Sequence, residues 1–269
     1  MFTAYRHTDG RTLCLGKKPA KVDNKRFMLT DFLPKCHPPA SANWFGSVTD
    51  FGMMLNDQLG DCTCAAIGHA EQVATLNSLS GEVTPVDELI SLLYEHSCGY
   101  VPGDPNTDQG GVITDVLDFV REHTLGMHKP EPHMHHRPTL YAYADPDPGD
   151  INHVKQAIAT FWVVDIGLQL PLTAQSQVGG LWDVVGDPNS DPDSQPGSWG
   201  GHSIVVSAYD ADTVTGITWG QLQKMTWRFW RTYVDESHAL LMFPWLEKAG
   251  GIPNLNMPAI EKALAALNN

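Results

Sequence analysis

The sequence predicts an α+β fold in which a helical half is followed by an antiparallel β half. Apolar residues recur at helical spacing after residue 61, and segments rich in β-branched and aromatic residues follow residue 160. Helices first and antiparallel strands second are typical of an α+β domain. The 269 residues, of which 42% are hydrophobic, are enough to enclose a substantial core.

The helical half contains four predicted helices. The first begins after Asp61 and runs through CTCAAIGHAEQVATLNSL, and the second has Thr84 as its cap and Pro85 at its first position. The third is predicted in VITDVLDFVREH, and the fourth in INHVKQAIA, which Asp150 can cap. The proline-rich segment between these two, residues 124–150, is predicted to be a loop.

The β half contains four predicted strands, in the segments FWVVDIGLQL, HSIVVSAYD, TVTGITWG and MTWRFWRTYV. Residues 1–50 are rich in proline and lysine and lack a sustained period, which predicts an extended arm wrapped over the protein. We expect the domain itself to span residues 51–245 and residues 246–269 to form a C-terminal tail with a short helix.

The charge balance restricts the partners of the protein. Its 17 basic and 31 acidic residues give a formal net charge of −14, so attraction to a phosphate backbone or to an anionic membrane surface is not expected. The N-terminus lacks the pattern of a signal peptide, and no apolar run approaches the length of a membrane span. We therefore expect a soluble protein; its oligomeric state is left open.

A thiol and an imidazole form the candidate reactive pair. The thiolate is the nucleophilic form of cysteine, and the positive end of a helix lowers the pKa of a thiol placed there. With Asp61 as the cap, Cys62 takes the first helical position and Cys64 the third. His202 lies about 140 residues downstream of Cys62, before an apolar strand, at a separation typical of papain-type enzymes.

Metal binding is a further and weaker interpretation, and the sequence favours neither a metal nor a cofactor. The Cys62-Thr63-Cys64 spacing is one residue too short for an ordinary zinc site, and no second cysteine pair exists. The five cysteines are an odd number, which predicts at least one free thiol. Two other groups resemble ligand clusters but are predicted to be solvated loops: His128, His133, His135 and His136, and then Asp187, Asn189, Asp191 and Asp193.

Six landmarks occur in the order in which papain-like cysteine peptidases have them, over roughly residues 55–240. The chain therefore resembles the papain superfamily, which implies the papain-like cysteine proteinase fold. The segment NDQLGDCTCAAIGH also resembles a group of uncharacterised bacterial and phage-type proteins, which implies no substrate. The landmarks are the helix that opens with a cysteine, Gly110-Gly111, INHVKQAIA with its following strand, Gly179-Gly180-Leu181-Trp182, Gly201-His202, and Thr218-Trp219-Gly220.

The resemblance implies an amide donor six residues before the nucleophile, to stabilise the oxyanion together with a backbone N–H group. Two registers satisfy that spacing: Asn56 with Cys62, and Gln58 with Cys64. The second keeps the glutamine of the family, whereas the first places the thiol nearest to the positive end of the helix. We favour Cys62 with Asn56.

The third catalytic position departs from the family pattern. Papain-like enzymes place an asparagine two residues before Trp-Gly to orient the histidine, and this chain has Ile217 there, which cannot accept a hydrogen bond. Thr218, Asp210, a backbone carbonyl or water would then orient His202. Trp219 matches the tryptophan that shields the imidazole from water in the family.

These features predict a cysteine hydrolase, either a peptidase or an amidase or acyltransferase, that acts through a Cys-His dyad and a thioester intermediate. The substrate class implied is a peptide or a small amide or ester. The alternative is a catalytically inactive papain-like scaffold that serves as a binding or structural module, and Ile217 favours it. Residues 1–50 lack the helical pattern of a prodomain, so no cleavage is predicted.

Overall fold

A helical half and a largely antiparallel sheet make up the described part of the chain, in the order that the sequence predicted. The structure is a computed structural model that describes residues 3–21, 27–48, 50–78, 81–123, 139–249 and 256–267. The α+β architecture is therefore confirmed.

Four helices of the helical half are α1 (Cys62–Leu76), α2 (Asp87–Cys98), α3 (Ile113–Glu122) and α4 (Ile151–Phe161), and the last of them lies between two strands of the sheet. Asp150 caps α4 by accepting a hydrogen bond from the His153 N–H group at 3.2 Å, as predicted. The predicted start of α2 is wrong, because Val86 is extended and immediately precedes the first turn. The hydroxyl group of Thr84 accepts a hydrogen bond from Gln72 at 2.9 Å instead of capping the helix.

An eight-stranded sheet forms most of the second half. Its strands are β3 (Ala42–Asn43), β4 (Leu140–Ala144), β5 (Val164–Leu170), β6 (Leu181–Trp182), β7 (Gly200–Tyr209), β8 (Thr213–Thr218), β9 (Gln221–Thr226) and β10 (Val234–Met242). The strand order is β4-β10-β5-β7-β8-β9-β6, with β3 paired to β7. All pairings are antiparallel except that between β6 and β9.

Helix α1 is the central helix, and it packs on β7 with α2 and α3 beside it. The predicted apolar positions Ala66, Ala70 and Val73 are buried, but so are the polar positions His69 and Gln72. A helix that is buried on nearly all sides belongs to a core and not to a surface. Its first residue, which is a cysteine, is therefore held at a fixed place between the two halves.

Two segments fold differently from the prediction. The segment MTWRFWRTYV ends β9 and then forms a short helix, α5 (Trp227–Tyr233), because the Thr226 hydroxyl accepts the Phe229 N–H group at 3.0 Å and caps it. Trp227, Trp230 and Tyr233 are spaced three residues apart and buried, which is a helical pattern. The segment predicted as a loop before Asp150 contains β4, whose alternating burial is that of an edge strand.

The N-terminal segment forms a two-stranded hairpin of β1 (Thr3–Arg6) and β2 (Thr12–Leu15). The C-terminal segment contains α6 (Phe243–Ala249) and α7 (Met257–Leu267). Among the described residues, no helix has both the length and the apolar character needed to cross a membrane.

Candidate active site

Cys62 lies at the start of α1, where its sulfur faces the backbone of β7. The thiol is almost wholly buried, and this burial raises its pKa to about 12. The backbone N–H groups of Ser203 and Gly16 oppose that shift by donating toward the sulfur, and the charge of Lys17 opposes it less. Since Ser203 directly follows His202, the strand that carries the imidazole passes beside the thiol.

His202 is held by two neighbours from the end of β8. Its Nε2 atom lies 2.7 Å from the Thr218 hydroxyl oxygen, and its ring stacks on Trp219 with the centroids 4.5 Å apart and the planes at 17°. Its Nδ1 atom is buried and has no hydrogen-bond partner among the described residues. Burial, with the nearby His69, lowers the pKa of His202 to about 3, so the imidazole is neutral.

The other residues considered for orienting the imidazole lie elsewhere. Asp210 is exposed at the turn after β7, at the opposite end of that strand, where it accepts the N–H groups of Asp212 and Thr213 at 2.9 and 2.7 Å. Ile217 is completely buried in the core. Of the side chains considered for orienting His202, the Thr218 hydroxyl is the one in contact with Nε2.

The two amide side chains of the alternative registers differ in position. Asn56 is buried, and its Nδ2 atom donates to the Leu59 carbonyl at 3.2 Å and to Asp61 Oδ1 at 3.1 Å. Burial raises the pKa of Asp61 well above its usual range. Gln58 is exposed.

Cys64 faces the helical half. Its sulfur lies 3.8 Å from the Ser97 hydroxyl at the end of α2, and Cys98 is its other polar neighbour. Burial raises the pKa of the Cys64 thiol well above its usual range. Of the two rival cysteines, Cys62 is the one whose sulfur faces the strand of His202. All five cysteines are free thiols. The odd number of cysteines had predicted at least one.

The N-terminal arm runs through the groove between Gly111 of the helical half and Gly201 of β7, which we call the cleft. The Gly111 N–H group donates to the Gly16 carbonyl at 2.9 Å, and the Lys18 N–H group donates to the Gly111 carbonyl at 2.8 Å. On the other side, the Lys17 N–H group donates to the Gly201 carbonyl at 3.1 Å. The arm therefore bridges both walls of the cleft with backbone hydrogen bonds.

The preceding part of the arm covers the region around Asn56. The Cys14 N–H group donates to the Asn56 carbonyl at 3.1 Å, and the Trp219 indole donates to the Cys14 carbonyl at 3.2 Å. Leu13, Cys14 and Leu15 are buried. Residues 13–18 thus lie over the thiol and beside the ring that shields His202.

Glycines on both walls allow the arm to come this close. A Cβ atom on Gly16 would lie 1.8 Å from the Gly60 carbonyl oxygen, and one on Gly110 would lie 1.8 Å from the Gly16 carbonyl oxygen. A Cβ atom on Gly201 would lie 2.2 Å from the Lys17 carbonyl oxygen. The arm and the cleft therefore meet backbone against backbone, with no room for a side chain between them.

Of the two loops considered as ligand clusters, only the acidic loop lies among the described residues, and its side chains bond within the loop. The four histidines of the segment 128–136 lie outside the described residues. In the acidic loop, Asp187 accepts the Asn189 N–H group at 3.0 Å and Asp191 accepts the Ser194 hydroxyl at 2.6 Å. Within the described ranges, no group of three or more His, Cys, Asp or Glu side chains could hold a metal ion.

Comparison with solved structures identifies the architecture. The chain is similar to xylellain, a cysteine protease from Xylella fastidiosa, with a TM-score of 0.61 and 16% identity over 85% of this chain and 96% of that one. The chain has the papain-like fold. Digestive procathepsin L 3 from Tenebrio molitor larval midgut is similar at a TM-score of 0.53 and 13% identity, over 83% of this chain and 76% of that one.

A third papain-like structure extends the comparison. The Carica candamarcensis cysteine protease CMS1MS2 is similar at a TM-score of 0.52 and 13% identity, over 76% of this chain and 99% of that one. No family model and no curated protein matches the sequence.

Within this papain-like fold, the sequence analysis missed the residues of the arm that enter the cleft. Lys17 is buried, and its Nζ atom lies 2.9 Å from Asp235 Oδ2 and 2.8 Å from Glu236 Oε1. The positions are about 220 residues apart in the chain, so no local pattern relates them. In the sequence, the one feature that marks this part of the arm is the pair of lysines after Gly16, which follows the apolar residues 13–15.

Proposed function

We propose that this chain is a papain-like cysteine hydrolase in which Cys62 is the nucleophile and His202 the general base, and that residues 13–18 hold it in a closed state. The observation that carries the proposal is the placement of the Cys62 thiol and the His202 imidazole. The Cys62 sulfur at the positive end of α1 faces the N–H group of the residue after His202, and His202 keeps a buried Nδ1 atom without a partner among the described residues.

The chemistry follows from the protonation states in the two forms. With the arm in place, burial keeps Cys62 as a thiol and His202 as a neutral imidazole. Departure of the arm would admit water and remove much of the burial that raises the thiol pKa, which leaves the helix end to favour the thiolate. His202 would then accept the thiol proton and Cys62 would attack the carbonyl carbon of the substrate.

The rest of the cycle moves two different protons through His202. His202 would give the proton taken from Cys62 to the leaving amine, and the substrate acyl group would remain on Cys62 as a thioester. Water, or an amine in an acyl transfer, would then give a proton to His202 as it attacks the thioester carbon. The C–S bond would break, releasing the acid or the new amide, and His202 would return its proton to the Cys62 thiolate. The Cys62 backbone N–H group would stabilise the oxyanion together with an amide donor, for which Asn56 is our candidate once its Nδ2 group turns away from the Leu59 carbonyl or from Asp61.

A peptide is the substrate class that we propose. The arm is itself a peptide that pairs with Gly111 and Gly201 through backbone hydrogen bonds, so the cleft is built to hold an extended chain. The similar solved structures are cysteine proteases by description, which agrees with that choice.

Alkylation of the folded protein by iodoacetamide at pH 6, with the modified cysteine located by mass spectrometry, tests the pairing. We expect slow modification because the arm covers the thiol, with Cys62 modified before Cys64. His202→Ala should lower the rate at Cys62 and leave the rate at the exposed Cys36 unchanged. Preferential modification of Cys64, or no effect of His202→Ala at Cys62, would contradict the proposal.

Thr218 is the proposed positioning residue for His202, because its hydroxyl oxygen lies 2.7 Å from Nε2. In the Gly16→Ala variant, whose arm is displaced from the cleft, we expect Thr218→Val to lower kcat about tenfold with little change in KM, since an unfixed imidazole transfers protons less efficiently. Thr218→Ser, which keeps the hydroxyl group, should restore most of the rate. Equal losses in the two variants would show that the methyl group matters and the hydrogen bond does not.

A second function is favoured by two observations: the cleft is filled by the protein's own chain, and Ile217 stands at the position where the family pattern has an asparagine. On that basis the alternative is an inactive papain-like scaffold that serves as a binding or structural module. The alkylation experiment separates the two, because a scaffold has no reason to couple the reactivity of Cys62 to His202.

A further inference from the structure

The Lys17 side chain leaves the cleft sideways and enters a pocket of the sheet. Its backbone lies between Gly16 and Lys18 in the cleft, while its side chain is completely buried. The Nζ atom lies 2.9 Å from Asp235 Oδ2 and 2.8 Å from Glu236 Oε1. The charged end of a lysine is rarely buried unless it is paired, and here it has two acidic partners.

The pocket has the shape of a lysine stem. A Cβ atom on Gly167 of β5 would lie 2.1 Å from Lys17 Cε and 2.6 Å from Glu236 Cγ, so the space exists only because this position is glycine. The wall belongs to β5 and the acidic floor to β10. None of these elements is part of the arm, so the pocket remains when another chain replaces it.

The charges around the pocket require a cation. Although burial opposes its ionisation, Glu236 has a lowered pKa because His238 and Lys17 both interact with its carboxylate. His238 lies between Asp145 and Glu236, at 2.6 and 3.2 Å. Removal of the lysine would leave the buried Glu236 carboxylate without the cation that lies 2.8 Å from it.

We propose that this pocket, which we call the Lys17 pocket, binds a lysine side chain of the peptide that takes the arm's place in the cleft. The inference rests on the proposed function for the identity of that peptide as a substrate. A chain that pairs with Gly111 and Gly201 as the arm does places one side chain in the Lys17 pocket, and Glu236 selects a primary ammonium group there. The arm therefore occupies the pocket with the side chain type that the pocket recognises.

The first test fills the pocket of the full-length variant Lys17→Ala with a small cation. This change removes the Cγ, Cδ, Cε and Nζ atoms, which n-propylammonium replaces atom for atom and 1-propanol matches without a charge. We expect n-propylammonium to raise the Tm of Lys17→Ala in a saturable manner and 1-propanol to have no such effect. Lys35→Ala is the control, because Lys35 forms an exposed ion pair with Asp150 at 2.7 Å.

Three results would each overturn the proposal. Both compounds could raise the Tm equally, neither could raise it, or Lys35→Ala could respond in the same way as Lys17→Ala. If Lys17→Ala does not fold alone, the same comparison is made on the yield of folded protein after refolding with each compound. Lys17→Arg and Lys17→Met add a second series: the charged variant should keep a higher Tm than the neutral one.

The second test measures selection by the pocket without any turnover. In the full-length variant Gly16→Ala/Lys17→Ala, binding of fluorescein-labelled Leu-Gly-Lys-Lys-Pro is compared with that of the same peptide carrying norleucine at its first lysine. We expect the lysine peptide to bind about 10- to 100-fold more tightly, because the norleucine peptide lacks the ammonium group that forms charged hydrogen bonds. Glu236→Gln in the same background should reduce that preference, and equal affinities would overturn the proposal.

The binding test, set beside hydrolysis of the same two peptides by the same variant, separates this inference from the proposed function. Lysine selection without any hydrolysis would leave the Lys17 pocket in place and refute the hydrolase. Hydrolysis with equal rates for lysine and norleucine peptides would support the hydrolase and refute the Lys17 pocket.

Discussion

Replacement of Gly16 by alanine is expected to expose the candidate nucleophile and to raise the alkylation rate of Cys62 about 10- to 100-fold. The added Cβ atom would lie 1.8 Å from the Gly60 carbonyl oxygen, a backbone atom that cannot rotate away. Overpacking of this kind costs about 1–3 kcal/mol, and each 1.4 kcal/mol is a factor of ten in an equilibrium. The arm must leave the cleft to relieve the clash, since the rest of the protein is unchanged.

The measurement is the rate of iodoacetamide incorporation at Cys62, followed by mass spectrometry beside the unfolding temperature of each variant. Gly180→Ala is the matched control, because a Cβ atom there would lie at an ordinary 3.5 Å from the Gln177 carbonyl oxygen. An unchanged rate in Gly16→Ala, with a lower Tm alone, would show that the arm is a structural part of the core and not a removable cover.

Replacement of Cys62 by alanine should abolish hydrolysis in the variant whose arm is displaced. We expect the turnover of a fluorescence-quenched casein by Gly16→Ala to fall by about four orders of magnitude when Cys62→Ala is added, because no other group can form the thioester. The sulfur of Cys62 faces Ser203 on the strand of His202, whereas that of Cys64 faces Ser97 on α2.

Cys64→Ala in the same background provides the control for a lost buried thiol, since both cysteines are buried in the first turn of α1. It should change the Tm by a similar amount and leave most of the turnover. Activity that persists in Cys62→Ala and disappears in Cys64→Ala would transfer the nucleophile to the second register, in which Gln58 is the amide donor.

The start of the central helix could be predicted because its signal is local. Asp61 precedes a run with helical spacing, and the structure begins α1 at Cys62. Thr218 and Trp219 could be named from the resemblance, because both lie next to the Trp-Gly landmark. The structure places the hydroxyl of the first and the ring of the second against His202.

In the segment that forms α5, residue composition favoured a strand whereas residue spacing favoured a helix. Trp227, Trp230 and Tyr233 belong to residue types that favour strands, but their spacing of three and the cap at Thr226 favour the helix that is observed. Burial of one aromatic face against the sheet outweighs the strand preference.

The course of the arm could not be predicted because its contacts are made by backbone atoms. Gly16 and Lys17 pair with Gly111 and Gly201, which lie about 95 and 184 residues away in the chain, through groups that every residue carries. Periodicity and composition describe side chains, so they hold no record of such pairings. The acidic partners of Lys17 interact through side chains, but they lie about 220 residues away in the chain, so no local pattern relates them to the arm.

The arm and the cleft belong to the same chain. A free peptide must therefore compete with a tethered segment for binding in the cleft. A segment tethered by a short linker acts at an effective concentration in the millimolar range, however dilute the protein is. A free peptide that binds with micromolar affinity therefore cannot displace residues 13–18 at ordinary concentrations. Dilution cannot open the protein either, so entry of a peptide requires a change in the arm itself, by severance of the chain or by loss of the contacts of Gly16 and Lys17.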